Sequence, residues 1–113
     1  MEISKLIKRS DFVRLSQSAT AVKTPAFVVL FEKNDLNMVR YGVTASKRVG
    51  NAVVRNRAKR RMRAVFDDVI RLNENFKTPT GFDMNIVARA YILDRHYDRM
   101  VKELRQAVES IAV

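Results

Sequence analysis

Between Lys47 and Arg63 the chain carries eight of its 22 basic residues and not one acid. The same region opens an apolar strip: Ala58, Met62, Val65, Phe66, Val69, Ile70 and Asn73 recur at the spacings of a single helix face. A helix that is cationic on one side and apolar on the other must lay the apolar side on a second element and leave the cations facing out. Gly50-Asn51 interrupts the preceding pattern, and Asn51 is the natural N-cap, its side chain being able to accept from an unpaired backbone N–H of the first turn. The chain has no cysteine, so neither disulfides nor thiolate–metal sites can hold the fold, and burial must do it.

The remaining patterns supply a sheet for that helix. Ser10 followed by Asp11, with Phe12, Leu15 and Ala19 on one stripe, predicts a short helix over residues 10–17 capped by Ser10. Residues 19–23 suit a brief edge strand. Residues 26–31, Ala-Phe-Val-Val-Leu-Phe, are β-formers in a run too short for a helix and read as a strand buried on both faces. Residues 32–37 carry turn chemistry. In residues 38–45, Val39, Tyr41, Val43 and Ala45 alternate with Arg40, Gly42 and Thr44, a half-buried strand that pairs with 26–31 as an antiparallel hairpin. Pro79-Thr80-Gly81 ends the long helix's exit loop, residues 84–90 form a further strand, and Asp94 caps a last helix with a stripe of Tyr97, Val101, Leu104, Val108 and Ile111. The order α, β-hairpin, α, β, α predicts an α+β sandwich in which helices cover one small sheet.

Length and charge bound the function. One hundred and thirteen residues suit one domain spanning residues 1–113. The longest apolar run is six residues, against roughly 20 for a membrane-spanning helix. The N-terminus lacks the apolar core of a secretory signal, so the cytoplasm is the default address. A net charge of +10 and a pI near 10.5 point to a polyanionic partner and say nothing of fold. The single histidine, His96, has no nucleophile or partner acid placed by a motif and reads as exposed structure near a helix start. Asp67 and Asp68, adjacent on a helix, point about 100° apart and do not chelate together. They read as partners that offset the basic column, with Arg63 and Asp67 at i,i+4 spacing.

On a helix, Arg55, Lys59 and Arg63 stack in one column, with Asn56 and Arg60 beside it and Arg57 and Arg61 beyond. Like charges at that spacing repel by a few tenths of a kcal/mol per pair, roughly. Solubilising faces mix signs, whereas this one does not, which favours an anion-binding surface. The side chains are mostly arginine, suited to forking onto phosphate, and they gather toward the positive end of the helix. No helix-turn-helix or dimeric setting for reading a DNA groove is present. A basic helix beside a sheet with aromatics suits single-stranded RNA.

The string Ser46-Lys47-Arg48-Val49-Gly50-Asn51-Ala52-Val53-Val54-Arg55-Asn56-Arg57-Ala58-Lys59-Arg60-Arg61-Met62-Arg63 resembles the signature of the bacterial ribonuclease P protein subunit: Ser-Lys, a basic residue, x-Gly-Asn-Ala-Val, x, Arg-Asn-Arg, x, Lys-Arg, two residues and Arg. Every fixed position matches, and Asp11-Phe12, Phe27-Val28 and Ile86-Val87-Ala88-Arg89 fall in the family's order. The resemblance implies an α-β-β-β-α-β-α sandwich with a left-handed βαβ crossover, a topology that ribosomal proteins also use. It implies a protein that assembles one-to-one with a catalytic RNA and helps it remove the 5′ leader of precursor tRNA. The chemistry belongs to the RNA and its Mg²⁺ ions; the protein binds no cofactor and the polypeptide alone is inactive. By matching position, Lys47, Arg48, Asn51, Arg55, Asn56, Arg57, Lys59, Arg60 and Arg63 become contacts to the catalytic RNA. Phe12, Ser16 and Arg89 fall at the cleft for the single-stranded leader. The chain departs from the family pattern at Ser16, where a second aromatic is common, at Ala19, where glycine is common, and at Leu30, in place of a strand aromatic. At roughly 1–3 kcal/mol per stacked base, those departures imply weaker leader binding or a changed base preference.

Residue by residue, blander readings compete: Phe12 by itself, sharing a stripe with Leu15, reads more readily as core than as a base platform, and Asn56 reads as a solvent-facing helix residue. For the whole chain, the competing functions are a structural RNA-binding protein such as a ribosomal component, and nonspecific DNA compaction. A protein-only nuclease lacks a carboxylate cluster able to hold two metals.

Overall fold

The computed structural model describes residues 2–111, the Ser18 side chain excepted. Its elements run β1 (Glu2–Lys5), α1 (Arg9–Ser18), β2 (Thr20–Lys23), β3 (Phe27–Asn34), β4 (Met38–Thr44), α2 (Ala52–Phe66), β5 (Gly81–Ala88) and α3 (Tyr97–Ile111). A π-helical turn, Asp67–Arg71, prolongs α2, and a 3₁₀ turn, Ala90–Leu93, precedes α3. The five strands form one mixed sheet in the order β1-β4-β5-β3-β2. β4, α2 and β5 make a parallel βαβ unit, because β4 and β5 are neighbours running the same way.

The predicted 26–45 hairpin does not form: β3 and β4 are separated by β5, which pairs antiparallel with β3 and parallel with β4. Two physical reasons place β5 there. Residues 81–86 are all buried, and a strand covered on both faces belongs at the centre of a sheet while polar β1 and β2 take the edges. Entry is permitted by Gly81. A Cβ at that position would lie 2.4 Å from Asn34 Oδ1 and 2.6 Å from the Met38 carbonyl oxygen, so only glycine lets β5 start between the ends of β3 and β4. The predicted strand at 84–90 therefore begins earlier, and the alternation Phe82-Asp83-Met84-Asn85-Ile86 belongs to it.

Strand alternation sorts the sheet into two faces. Val39, Tyr41 and Val43 of β4, Phe82, Met84 and Ile86 of β5, and Phe27 and Val29 of β3 share one face. Tyr41 stacks on Phe66 of α2, ring centroids 3.8 Å apart. α2 and α3 cover that face, giving a core that includes Ala58, Met62, Val65, Phe66, Met100 and Leu104. The predicted α2 strip is buried from Ala58 to Ile70; in the predicted α3 stripe Leu104, Val108 and Ile111 are buried but Tyr97 and Val101 only half-buried, with Met100 and Ala107 joining the buried set. Half-buried Asn73 lies just past the π turn and donates from Nδ2 to the Val69 carbonyl, 3.1 Å.

The other face carries three cross-strand rows: Arg40–Asp83–Glu32, Gly42–Asn85–Leu30 and Thr44–Val87–Val28. α1 lies over these rows with Leu15 fully buried. β3 is accordingly buried at Phe27 and Val29 but only half-buried at Val28 and Leu30, not on both faces as its composition suggests.

Three local expectations are corrected. α1 starts at Arg9, with Lys8 in the N-cap position and no side-chain cap; the Asp11 N–H instead reaches the Lys8 carbonyl, 3.1 Å, so Ser10 lies inside the first turn. Asp94 closes the 3₁₀ turn through its N–H to the Tyr91 carbonyl, 3.0 Å, while the first turn of α3 bonds the His96 carbonyl from Arg99 and Met100. β1 has no counterpart in the sequence reading: four residues with one apolar side chain fall below any periodicity signal, and the strand exists because β4 offers a free edge.

Candidate nucleic-acid interface

The basic helix is set by its entry loop. Asn51 caps α2 as expected, its Oδ1 accepting from the Val54 N–H at 3.0 Å. Gly50 sits at φ +153°, and a Cβ there would be 2.7 Å from Val54 Cγ1; loop and helix meet too closely for a side chain. Half-buried Arg55 folds back, donating from Nη1 to the Gly50 carbonyl at 3.1 Å, so the first arginine of the motif braces the loop that carries exposed Lys47 and Arg48. Asn56, Arg57, Arg60 and Arg63 are exposed, and Lys59 and Arg61 are half-buried at the two margins of the helix.

Among the described residues, no salt bridge reaches any of the eight bases between Lys47 and Arg63. The expected Arg63–Asp67 pair is absent: Asp67 takes Arg71 Nε at 2.9 Å, and Asp68 accepts from the Tyr97 hydroxyl at 2.6 Å. Glu or Asp placed before its cation is the better helical order, and Asp67 with Arg71 has that order while Arg63 with Asp67 does not. The cationic face is left whole.

Its two margins border different structures. On one side Arg63 joins Phe12, Gly42, Lys5 and Leu6 around a cavity of about 160 Å³, where the sheet edge at the end of β1 leads round to α1. On the other, Arg57, Arg60 and Arg61 face Leu93 and Tyr97 across a notch of about 320 Å³ between α2 and α3. A wider cavity of about 510 Å³ opens away from this helix face, at the β1 edge beside Asn73, Phe76 and Lys77.

The sheet face under α1 forms the second candidate surface. The Phe12 ring lies against Gly42: a Cβ there would be 2.4 Å from Phe12 Cε1. Phe12 is half-buried, neither wholly core nor a free platform. Asn85, 4 % exposed, continues the Gly42 row and accepts from the Thr44 hydroxyl at 3.1 Å. Exposed Ser16 turns its hydroxyl onto the Val13 carbonyl, 2.7 Å. Half-buried Leu30 completes the row. Arg89, one step past the Val87 row, donates to the Thr24 carbonyl at 3.1 Å, tying it to the end of the surface and not to Phe12.

What holds α1 over this surface was not read from the sequence. Asp83, 1 % exposed, accepts from Arg14 Nη2 at 2.6 Å, from Arg40 Nε at 2.8 Å and Nη2 at 2.6 Å, and from Asn34 Nδ2 at 2.8 Å. Arg14 also bonds Glu32 and, at 3.3 Å, Asp11. Burial by itself pushes the Asp83 carboxyl up, but the hydrogen bonds from Arg40, Asn34 and Arg14 outweigh it and hold the group below its ordinary value. The same carboxylate raises Arg14 and Arg40. A signal existed: an acid alternating with Phe82 and Met84 in a central strand requires cationic partners.

A sheet that exposes an acid-free cationic helix beside a strand-floored cleft defines a polyanion-binding α+β protein. Comparison with known proteins narrows this. Residues 2–112 match the family model described as Ribonuclease P. The chain is 33% identical over 109 residues to the ribonuclease P protein component of Mesoplasma florum, covering 96% of each. It is 39% identical over 108 residues to that of Desulforapulum autotrophicum, covering 95% of this chain and 87% of the relative. The solved RNase P protein of Thermotoga maritima superposes with a TM-score of 0.75 at 26% identity, over 94% of this chain and 96% of the other. That of Staphylococcus aureus superposes with 0.74 at 26%, over 96% and 95%. The chain belongs to the ribonuclease P protein family, which sets aside the ribosomal and DNA-compaction readings.

Proposed function

We propose that this chain acts as the cytoplasmic, single-domain protein subunit of a ribonuclease P ribonucleoprotein, one copy per catalytic RNA. Lys47, Arg48, Asn51, Arg55, Asn56, Arg57, Lys59, Arg60 and Arg63 contact the catalytic RNA; Phe12, Ser16 and Arg89 border the path of the single-stranded leader of precursor tRNA. Mg²⁺ bound by the RNA supplies the hydrolytic chemistry, and the polypeptide alone is inactive. Its own work is electrostatic and positional. The cations of α2 offset the phosphate repulsion that opposes docking two RNAs, and the Phe12–Gly42–Asn85 surface holds the leader away from the folded tRNA body.

The observation that carries this reading is the acid-free face of α2 in a member of this family. Precursor-tRNA cleavage at low Mg²⁺ tests it, with protein alone, a bacterial ribonuclease P RNA transcript alone, and both together. Cleavage confined to the combined reaction is the expected result. No gain on adding the protein would reject the subunit role.

A further inference from the structure

Asp83 and Asn85 sit two residues apart on the same face of the central strand β5, and their bonding differs. Asp83 is saturated, its two oxygens taking hydrogen bonds from Arg14, Arg40 and Asn34. Asn85 is also buried but makes a single side-chain bond, Oδ1 accepting from the Thr44 hydroxyl at 3.1 Å. Its Nδ2 group, with two protons to donate, has no acceptor among the described residues. Of the fully buried side-chain polar atoms among those residues, only Arg61 Nε lacks a partner, so the unpaired Asn85 nitrogen keeps an opening. Packing gives no reason for an amide here. The cross-strand neighbours are Gly42 and Leu30, and α1 brings apolar Phe12 and Leu15 to this face. A leucine or valine would fill the place without an unpaired polar group.

Thr44 settles which end of the amide is presented. Oδ1 is bonded to Thr44 and lies 3.6 Å from where a Cβ on Gly42 would be. Both neighbours belong to β4, so the nitrogen is turned away from that strand. The adjacent row, Thr44–Val87–Val28, is half-buried on all three strands, and the floor of the cleft opens to solvent along it. Ser16 and Leu30 offer no ring on which a base could lie, which leaves more of the recognition to hydrogen bonds at a base edge.

We propose that Asn85, oriented by Thr44, reads one base of the leader: its Nδ2 group donates to an exocyclic carbonyl oxygen and selects uracil or guanine over cytosine or adenine. The donor meets O4 of uracil or O6 of guanine as an acceptor, whereas the N4 amine of cytosine and the N6 amine of adenine set donor against donor. The inference rests on the leader reading above and adds to it the chemical group that is read.

Affinity of the assembled enzyme for precursor tRNAs tests it, with one leader position exchanged at a time. Uridine against cytidine, and inosine against adenosine, change the carbonyl to an amine at the edge concerned. At one position the carbonyl base should bind roughly three- to tenfold tighter in both pairs. Asn85→Leu should bring the carbonyl bases down to the level of the amino bases, and should raise the thermal midpoint of the free protein because an unpaired amide is gone. Thr44→Val, which frees the amide to turn over, should blunt the same preference and so provides a second reading if Asn85→Leu folds poorly. No carbonyl preference at any position, with the leader still adding affinity in wild type, would overturn the base-reading role alone. So would a preference that survives both substitutions, or a lowered midpoint in Asn85→Leu with equal loss on all four bases, which would make Asn85 structural. A leader that adds no affinity in wild type would overturn the leader reading together with it.

Discussion

Phe12 and Asp83 show how single side chains shape the cleft. Phe12 rests on Gly42 because that strand position has no side chain, so the ring and the glycine act as a pair. Phe12→Ala should weaken leader-containing precursor more than mature tRNA in the assembled enzyme; equal loss on both would assign Phe12 to packing. Gly42→Ala, whose added methyl would fall 2.4 Å from the ring, should reproduce that selective defect with the aromatic still present. Asp83 works from below by anchoring Arg14 of α1 and Arg40 of β4. Its folded-state value lies below the ordinary carboxylate value, so the stability it contributes is complete above about pH 4 and is lost as pH falls through the depressed folded value. Asp83→Asn removes the counter-charge from two arginines and should cost about 1–3 kcal/mol near neutral pH. In urea unfolding the wild-type advantage should shrink on acidification. A difference that stayed constant below about pH 4 would mean the carboxylate charge is not what stabilises.

At the scale of elements, α2 presents an apolar side to the core and, on the opposite side of one cylinder, the cationic face that the proposed function assigns to RNA. Ala58, Met62, Val65 and Phe66 lock it to the sheet, which frees the opposite side from any packing role and lets it concentrate like charge. Arg55→Ala, Lys59→Ala and Arg63→Ala should each reduce the salt slope of binding to a ribonuclease P RNA transcript by about 1 or less. Arg55 should differ from the other two by also loosening the Gly50 loop, visible as faster amide exchange at residues 47–50. Asn51→Ala should cost about 1 kcal/mol of stability through loss of the cap, read from the denaturation midpoint. The apolar stripes of α2 and α3 and the cap at Asn51 were legible because helical periodicity and capping are local. The placement of β5 was not, since two adjacent strands joined by a short turn look alike in sequence whether they pair directly or admit a third strand between them. Gly81 decides between the two outcomes, and its effect depends on Asn34 and Met38, more than 40 residues away.

Over the whole molecule, ten net positive charges oppose compaction, and the salt bridges among the described residues lie on α1, on the sheet, on the π turn after α2 and at α3, none of them on the basic residues of α2. Anions that occupy the α2 face should therefore stabilise the fold by mass action. At equal ionic strength, the thermal midpoint should rise with sulfate more than with chloride, and Arg60→Gln should reduce the difference; identical midpoints in the two salts would show that charge relief is general screening. The cationic helix and the family were both readable from residues 46–63 alone, because charge without compensating acids and a long fixed-spacing motif are one-dimensional properties. The sequence by itself determined the amphipathic elements, the α+β class and the cationic face. Tertiary structure decided the strand order, the ion-pair cluster under α1, and the division of the basic face into a margin beside Phe12 and a notch beside Tyr97. Each of these depends on which distant residues become neighbours, and that follows from how the elements share one core and not from any local pattern.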